Sequence, residues 1–305
     1  MSVFYFCGME IRSKAYLQMN IATFMWGLTA ILGKVISIGE FPLVWYRVFF
    51  VSLLMLFIPN LFRQVKALSR KTILILCGIG VLLAVHWVAW YGSIKYANAS
   101  VAVSCIASVS LFVAILEPFI NKTKFDTSNL VLGFMVIPGI LLINQSLDIP
   151  SYKFGFLLGI IAAFLAAIFN ILNKKYTQTI APNTITFIQM LSGFVFLSLC
   201  LPVYIQQNPG NFHLPDFKDF IYLLILSIFC TVIPYNLFLK ALKASDAFTT
   251  SLINNLEPIY GIILAIILLQ ENKELNWKFY IGVVIILAAV FLHAFLSNRK
   301  QKYVT

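Results

Sequence analysis

The sequence predicts an all-α integral membrane protein of ten transmembrane helices arranged as two inverted five-helix repeats, and three observations predict it. Apolar residues make up 61% of the 305 and charged residues only 11%, which leaves too little polar surface to cover a water-soluble domain. The apolar residues fall in blocks of about 20, the length a helix rising about 1.5 Å per residue needs to cross a bilayer core about 30 Å thick. The chain also matches itself weakly at offsets of 140 to 149 residues, so the second half repeats the series of the first.

In the first half, apolar windows place spans at residues 16–36, 41–62, 72–94, 96–118 and 127–147. The first carries Trp26 at mid-span, where a ring faces a cavity more readily than an interface. Arg47 lies about 8 Å into the second, five residues beyond Pro42, and either snorkels to the surface or pairs with a substrate carboxylate. His86 sits about 21 Å into the third, beside Trp87, Trp90 and Tyr91. These rings fit an interfacial belt or a wall facing a solute. In the fourth, Ser104, Ser108 and Ser110 offer hydroxyls or close packing, while Cys105, Val109, Phe112 and Leu116 share an apolar face.

The second half reads as spans at residues 154–173, 182–206, 220–239, 247–270 and 279–298. Asn170, Gln189 and Asn236 are its uncharged polar candidates for a pathway, and His293 near the end of the last span reads as structural. Glu257 lies ten residues beyond Ala247, about 15 Å by helical rise and therefore near the midplane. Thr250, Asn254, Glu257 and Gly261 fall at i, i+4, i+7 and i+11, one helix face. A carboxylate at that depth is costly unless it binds a cation or bridges helices through hydrogen bonds. Pro258 removes a backbone donor beside it and frees a carbonyl.

Lys34 and Pro42 fall on Lys174 and Pro182 at an offset of 140, Lys95, Ala99, Ser100 and Ala102 on Lys240, Ala244, Ser245 and Ala247 at 145, and Gly133 on Gly282 at 149. Five spans per half is an odd number, so the second copy enters the membrane from the opposite face. The halves run over 16–147 and 153–298. Of the 22 Lys and Arg residues, 15 lie on one side, among them the group in 63–71, and 6 on the other, with Arg47 inside a span. The positive-inside bias puts both termini in the cytoplasm and the chain, as a multi-pass protein, in the cell (inner) membrane.

Trp26-Gly27, the Lys240-Ala241-Leu242 turn leading to Ala247, and the run from Leu256-Glu257-Pro258 to Leu269-Gln270-Glu271 resemble the EamA-type members of the drug/metabolite transporter superfamily. The resemblance extends from about Tyr16 to Asn298. It implies a ten-helix exporter or exchanger with cytoplasmic termini, moving amino acids or related metabolites. The first half departs from the pattern, because Phe112-Val113 stands where the second half has Glu257-Pro258 and Glu117-Pro118 lies at the cytoplasmic end of its span.

The net charge of +11 is scattered between apolar blocks instead of forming a stripe, which excludes a nucleic-acid partner. No Gly-rich nucleotide loop, metal-ligand cluster or nucleophile elbow is present, so no cofactor or metal is expected and ATP-driven pumping by this chain is excluded. A polytopic enzyme would use Glu117, Glu257 and His86, which lie at different depths. A channel-like facilitator would need a filter or charged ring that is not evident. The expectation is therefore an alternating-access carrier for a small amphiphilic solute, moving downhill or with coupled protons. Its binding residues are Glu257, Asn254, Thr250, Trp26, Arg47, His86, Trp90, Ser108, Phe112 and Asn236. Its partners are that solute and the lipid bilayer.

Overall fold

The computed structural model describes residues 2–125, 127–147, 149–244, 250, 253–254 and 256–302, and the side chains of those from Lys14 to Ala289, except 128, 129 and 132, together with Leu292. Ala247, Ser245 and the side chains of Arg12 and His293 lie outside the described residues. All regular structure within them is helical. The first half contains α1 (Ser2–Val35), α2 (Glu40–Met55), α3 (Leu61–Lys66), α4 (Arg70–Tyr96), α5 (Ala99–Ile106), α6 (Val109–Asn121), α7 (Thr127–Phe134) and α8 (Ile137–Gln145). The second contains α9 (Pro150–Thr177), α10 (Pro182–Gln207), α11 (Phe217–Ser227), α12 (Ile233–Ala244), α13 (Glu257–Leu264) and α14 (Trp277–Lys302).

Helix starts follow local chemistry. Ser69 accepts a hydrogen bond from the Thr72 amide at the start of α4, Asn98 from Val101 at α5, and Asp216 from Asp219 at α11. Pro150 and Pro182 open α9 and α10, where a missing N–H costs nothing. Among the described residues, five helical segments are long and apolar enough to cross a membrane: Arg70–Tyr96, Ala99–Asn121, Pro150–Thr177, Pro182–Gln207 and Phe217–Ala244. Glu257–Leu269 and Trp277–Ala289 are shorter apolar helices. Side chains such as Leu74 and Leu199 are 71% and 74% exposed, a cost in water that a lipid surround removes.

Several expected spans are interrupted. The fourth breaks at Ala107–Ser108 between α5 and α6, the fifth at residues 135–136 just before Pro138, and the ninth restarts at Glu257 after a turn at Leu256. The eighth carries a π-helical turn, Ile228–Val232, between α11 and α12. Such interruptions leave backbone groups unpaired within the helix and are tolerated at membrane depth only where protein or a cavity receives them. The second span ends at Met55, short of Pro59 and the left-handed Asn60.

α4 is the central element, packed against α9 and α10, while α1 packs on α12 and α13, and α14 on α8. Close backbone approach makes two of these contacts possible. A Cβ at Gly80 would stand 2.3 Å from the Gln189 carbonyl oxygen of α10. At the crossing of α8 and α14, a Cβ on Gly139 or on Gly282 would meet the other's carbonyl oxygen at 2.6 and 2.7 Å. Small residues at such crossings are how apolar helices associate where lipid offers no hydrophobic drive.

Candidate functional site

The breaks in the fourth and ninth spans border a cavity. Its wall takes Trp26 and Thr29 from α1, Arg47 from α2, Leu83, His86, Trp87 and Trp90 from α4, and Ile106 and Val109 from either side of the α5–α6 break. The second half adds Ala166, Phe169 and Asn170 from α9, Tyr235 and Phe238 from α12, and Asn254 and Glu257.

Arg47 is 1% exposed, so it does not snorkel to the surface. Its Nε donates to Thr231 Oγ1 at 2.7 Å, one terminal nitrogen donates to the Tyr91 hydroxyl at 2.8 Å, and the other to the Cys230 carbonyl at 3.1 Å. The π-helical turn explains the last bond, because widening the helix turns the Cys230 carbonyl toward α2. The guanidinium carbon also lies 3.9 Å above the Trp87 ring, a cation–π contact strengthened by exclusion of water. A guanidinium has five N–H donors, so this anchoring leaves donors for a ligand.

Glu257 faces the same cavity from the first turn of α13, where the helix start favours negative charge. It and Arg47 act on each other electrostatically. The Trp90 indole N–H is buried and, among the described residues, has no hydrogen-bond partner, an orphan donor in the cavity wall. His86 Nδ1 donates to the Ala162 carbonyl of α9 at 2.7 Å; with Nδ1 so engaged, the ring packs 5.9 Å from Phe169. Phe238 stands 5.5 Å from Trp26 and 6.0 Å from Phe169 between ring centroids, and completes an aromatic side to the cavity. Trp87, Trp90 and Tyr91 are therefore interior residues and not an interfacial belt.

Tyr235 is fixed from behind. Its hydroxyl donates to Gln189 Oε1, Gln189 Nε2 donates to Asn173 Oδ1 at 2.7 Å, and Asn173 Nδ2 donates back to the Tyr235 oxygen at 3.4 Å. The pairing of α10 with α12 through Gln189 and Tyr235 repeats that of α2 with α4 through Arg47 and Tyr91.

Of the residues singled out in the sequence, Glu257, Asn254, Trp26, Arg47, His86 and Trp90 come together on this cavity, and Thr250, Ser108, Phe112 and Asn236 do not line it. Thr250 is buried outside this lining. Gly261 lies against Val103 of α5. Phe112 packs edge-on against Phe164 of α9 at 5.5 Å, and Ser108 donates to the Cys105 carbonyl at 2.6 Å. Asn236 Nδ2 donates to the Val232 carbonyl at 2.8 Å. The helices α6 and α13 start after Ser108 and Leu256, an offset of 148. Thr29, Thr231, Phe169, Tyr235 and Phe238 were not singled out in the sequence. Thr29, Thr231 and Tyr235 carry the available signal, a hydroxyl within an apolar span.

The model of the EamA-like transporter family matches the chain twice, over residues 13–145 and 153–295. An Archaeoglobus fulgidus protein described as an uncharacterized transporter is 26% identical over 296 residues, 92% of this chain and 98% of that one. The Bacillus subtilis uncharacterized transporter YetK is 23% identical over 219 residues, 70% of this chain and 64% of its own length. A solved crystal structure superposes with a TM-score of 0.70 at 15% identity, covering 94% of this chain and 99% of that one. At that identity the likeness shows the fold alone.

Proposed function

The chain belongs to the EamA-like transporter family, and from that premise, which makes it a membrane transporter, we propose that it carries zwitterionic amphiphiles, namely amino acids with apolar side chains, out of the cell. The observation that carries this reading is the pair of opposite charges on one aromatic cavity: Arg47 on α2 and Glu257 on α13. A carboxylate fits the free guanidinium donors and the unpartnered Trp90 N–H. An ammonium fits Glu257, with Asn254 beside it. Trp26, Phe169 and Phe238 then receive the apolar side chain.

The ten helices act as two inverted five-helix halves, 16–147 and 153–298, which open the central site to each face in turn. This is supported by the double family match, by the Arg47–Tyr91 and Gln189–Tyr235 pairings, and by a further repeated contact. Lys34 Nζ donates to the Ala97 carbonyl at 3.4 Å, and Lys174 Nζ to the Leu242 carbonyl at 2.7 Å. Each half contributes one charge to the site. The charge bias of the loops places both termini in the cytoplasm and the 36–39 turn outside.

Purified protein in liposomes preloaded with unlabelled amino acid is expected to take up labelled leucine, phenylalanine or a similar apolar amino acid with saturation and trans-stimulation. A pH gradient applied across the same vesicles tests coupled protons. Non-saturating flux would establish a channel, chemical conversion of the solute an enzyme, and no movement of any apolar amino acid would remove the substrate class.

A further inference from the structure

On the face that carries the 36–39 turn, two buried carboxylates of the second half hold two corners of the first. Glu271, 2% exposed, accepts from the backbone amides of Ala99 and Ser100 at 2.9 Å each and from the Ser100 hydroxyl at 2.6 Å. Those amides are the first two of α5, so the carboxylate satisfies orphan donors and complements the helix dipole. Asp219, also 2% exposed, receives the Ser37 amide at 3.1 Å on both oxygens and the Ser37 hydroxyl at 2.6 Å. Lys95 Nζ donates to the Ile36 carbonyl of the same turn. The two carboxylates thus tie α11 and the Glu271–Lys273 turn to the entrances of α2 and α5.

The opposite face is built differently at the matching positions. Ser69 caps α4 as Asp216 caps α11, and three residues on, where the second half has Asp219, the first has Thr72. The Thr72 hydroxyl pairs with Ser69 at the start of its own helix at 2.9 Å. Gln270 and Lys122 are both left-handed, with φ of 56° and 55°, which aligns the following residues, Glu271 and Thr123. Thr123 is exposed. On that face Thr184 donates to Gln64 at 2.6 Å, a neutral hydrogen bond between the halves.

We infer that Asp219 and Glu271 are gate-holding residues that keep the outer face closed, so that the carrier rests with its outer mouth shut and opens outward only when both carboxylates release their amides. Bonds to an ionised acceptor are about twice as strong as neutral ones, and here four of the six come from backbone amides that fix the corners themselves. The threonines on the other face supply no such hold. The inference rests on the two-halved alternating-access reading and is independent of the solute.

The test is thiol accessibility in intact cells. In a chain whose five native cysteines are replaced by alanine, Ile106→Cys places a thiol on the cavity wall. Labelling by a membrane-impermeant methanethiosulfonate from outside is expected to quicken at least about tenfold in the Asp219→Asn, Glu271→Gln double variant. Thr72→Val with Thr123→Val is expected to stay within about twofold of the parent. Labelling from the cytoplasmic face in inverted vesicles should not quicken. An outside rate unchanged in the double variant would overturn the gate, as would a rise from both faces or from the cytoplasmic face alone. Faster outside labelling in a protein that moves no amino acid would leave the gate standing and remove the substrate reading.

Discussion

Glu257→Gln is expected to insert and fold as the parent does and to lose at least about tenfold in amino-acid transport. Glutamine keeps the shape and hydrogen-bonding reach of glutamate but removes the charge. Glu257 is 5% exposed and shares its cavity with Arg47, so its environment excludes most of the water that would otherwise screen it. A hydrogen bond to a charged partner contributes about 1.5–3 kcal/mol, so loss of the ammonium contact corresponds to roughly 10- to 150-fold in affinity. Uptake into proteoliposomes, with folded yield measured by size exclusion, checks the expectation. Parental rates in Glu257→Gln would make this carboxylate a packing group and move the ammonium site elsewhere.

Arg47→Gln is expected to cost both affinity and stability, and the two losses are separable. The guanidinium holds Thr231, Tyr91 and the Cys230 carbonyl together, and glutamine keeps an amide donor there but neither the charge nor the fork. Removing the centre of a buried polar network costs about 2–4 kcal/mol, seen as a lower melting temperature in detergent. Arg47→Lys retains the charge but not the planar fork, and is expected to recover stability in part and carboxylate binding only weakly. The decisive readout is discrimination between an amino acid and its amide. The parent prefers the acid, and in Arg47→Gln that preference should collapse. A variant that still prefers the acid as strongly as the parent would separate Arg47 from the substrate.

The charged poles were legible because an Arg or Glu inside an apolar window has few explanations. The exact faces were not. Periodicity over residues 250–261 assumes an unbroken helix, and the restart at Glu257 leaves Asn254 on the cavity while taking Thr250 off it. Pro258 hints at that break, but nothing in Ile106-Ala107-Ser108 announces the one in the fourth span. The aromatic wall had no sequence signal either: Phe169 and Phe238 are two of 28 phenylalanines in a chain where such residues also face lipid. The π-helical turn that presents the Cys230 carbonyl to Arg47 likewise depends on tertiary packing. By contrast, the caps at Ser69, Asn98 and Asp216 are local chemistry and fall where their side chains dictate.

The central claim is that one cavity reads both charges of a zwitterion, and equilibrium binding to the purified protein tests it most directly. Three competitors against a labelled apolar amino acid suffice: the unlabelled amino acid, the amine that lacks its carboxylate, and the acid that lacks its ammonium. With Arg47 and Glu257 each contributing a charged contact, the amino acid is expected to compete at least about tenfold more tightly than either truncated form. If the amine or the acid competes as well as the amino acid itself, one of the two charges does not hold the substrate and the account is contradicted.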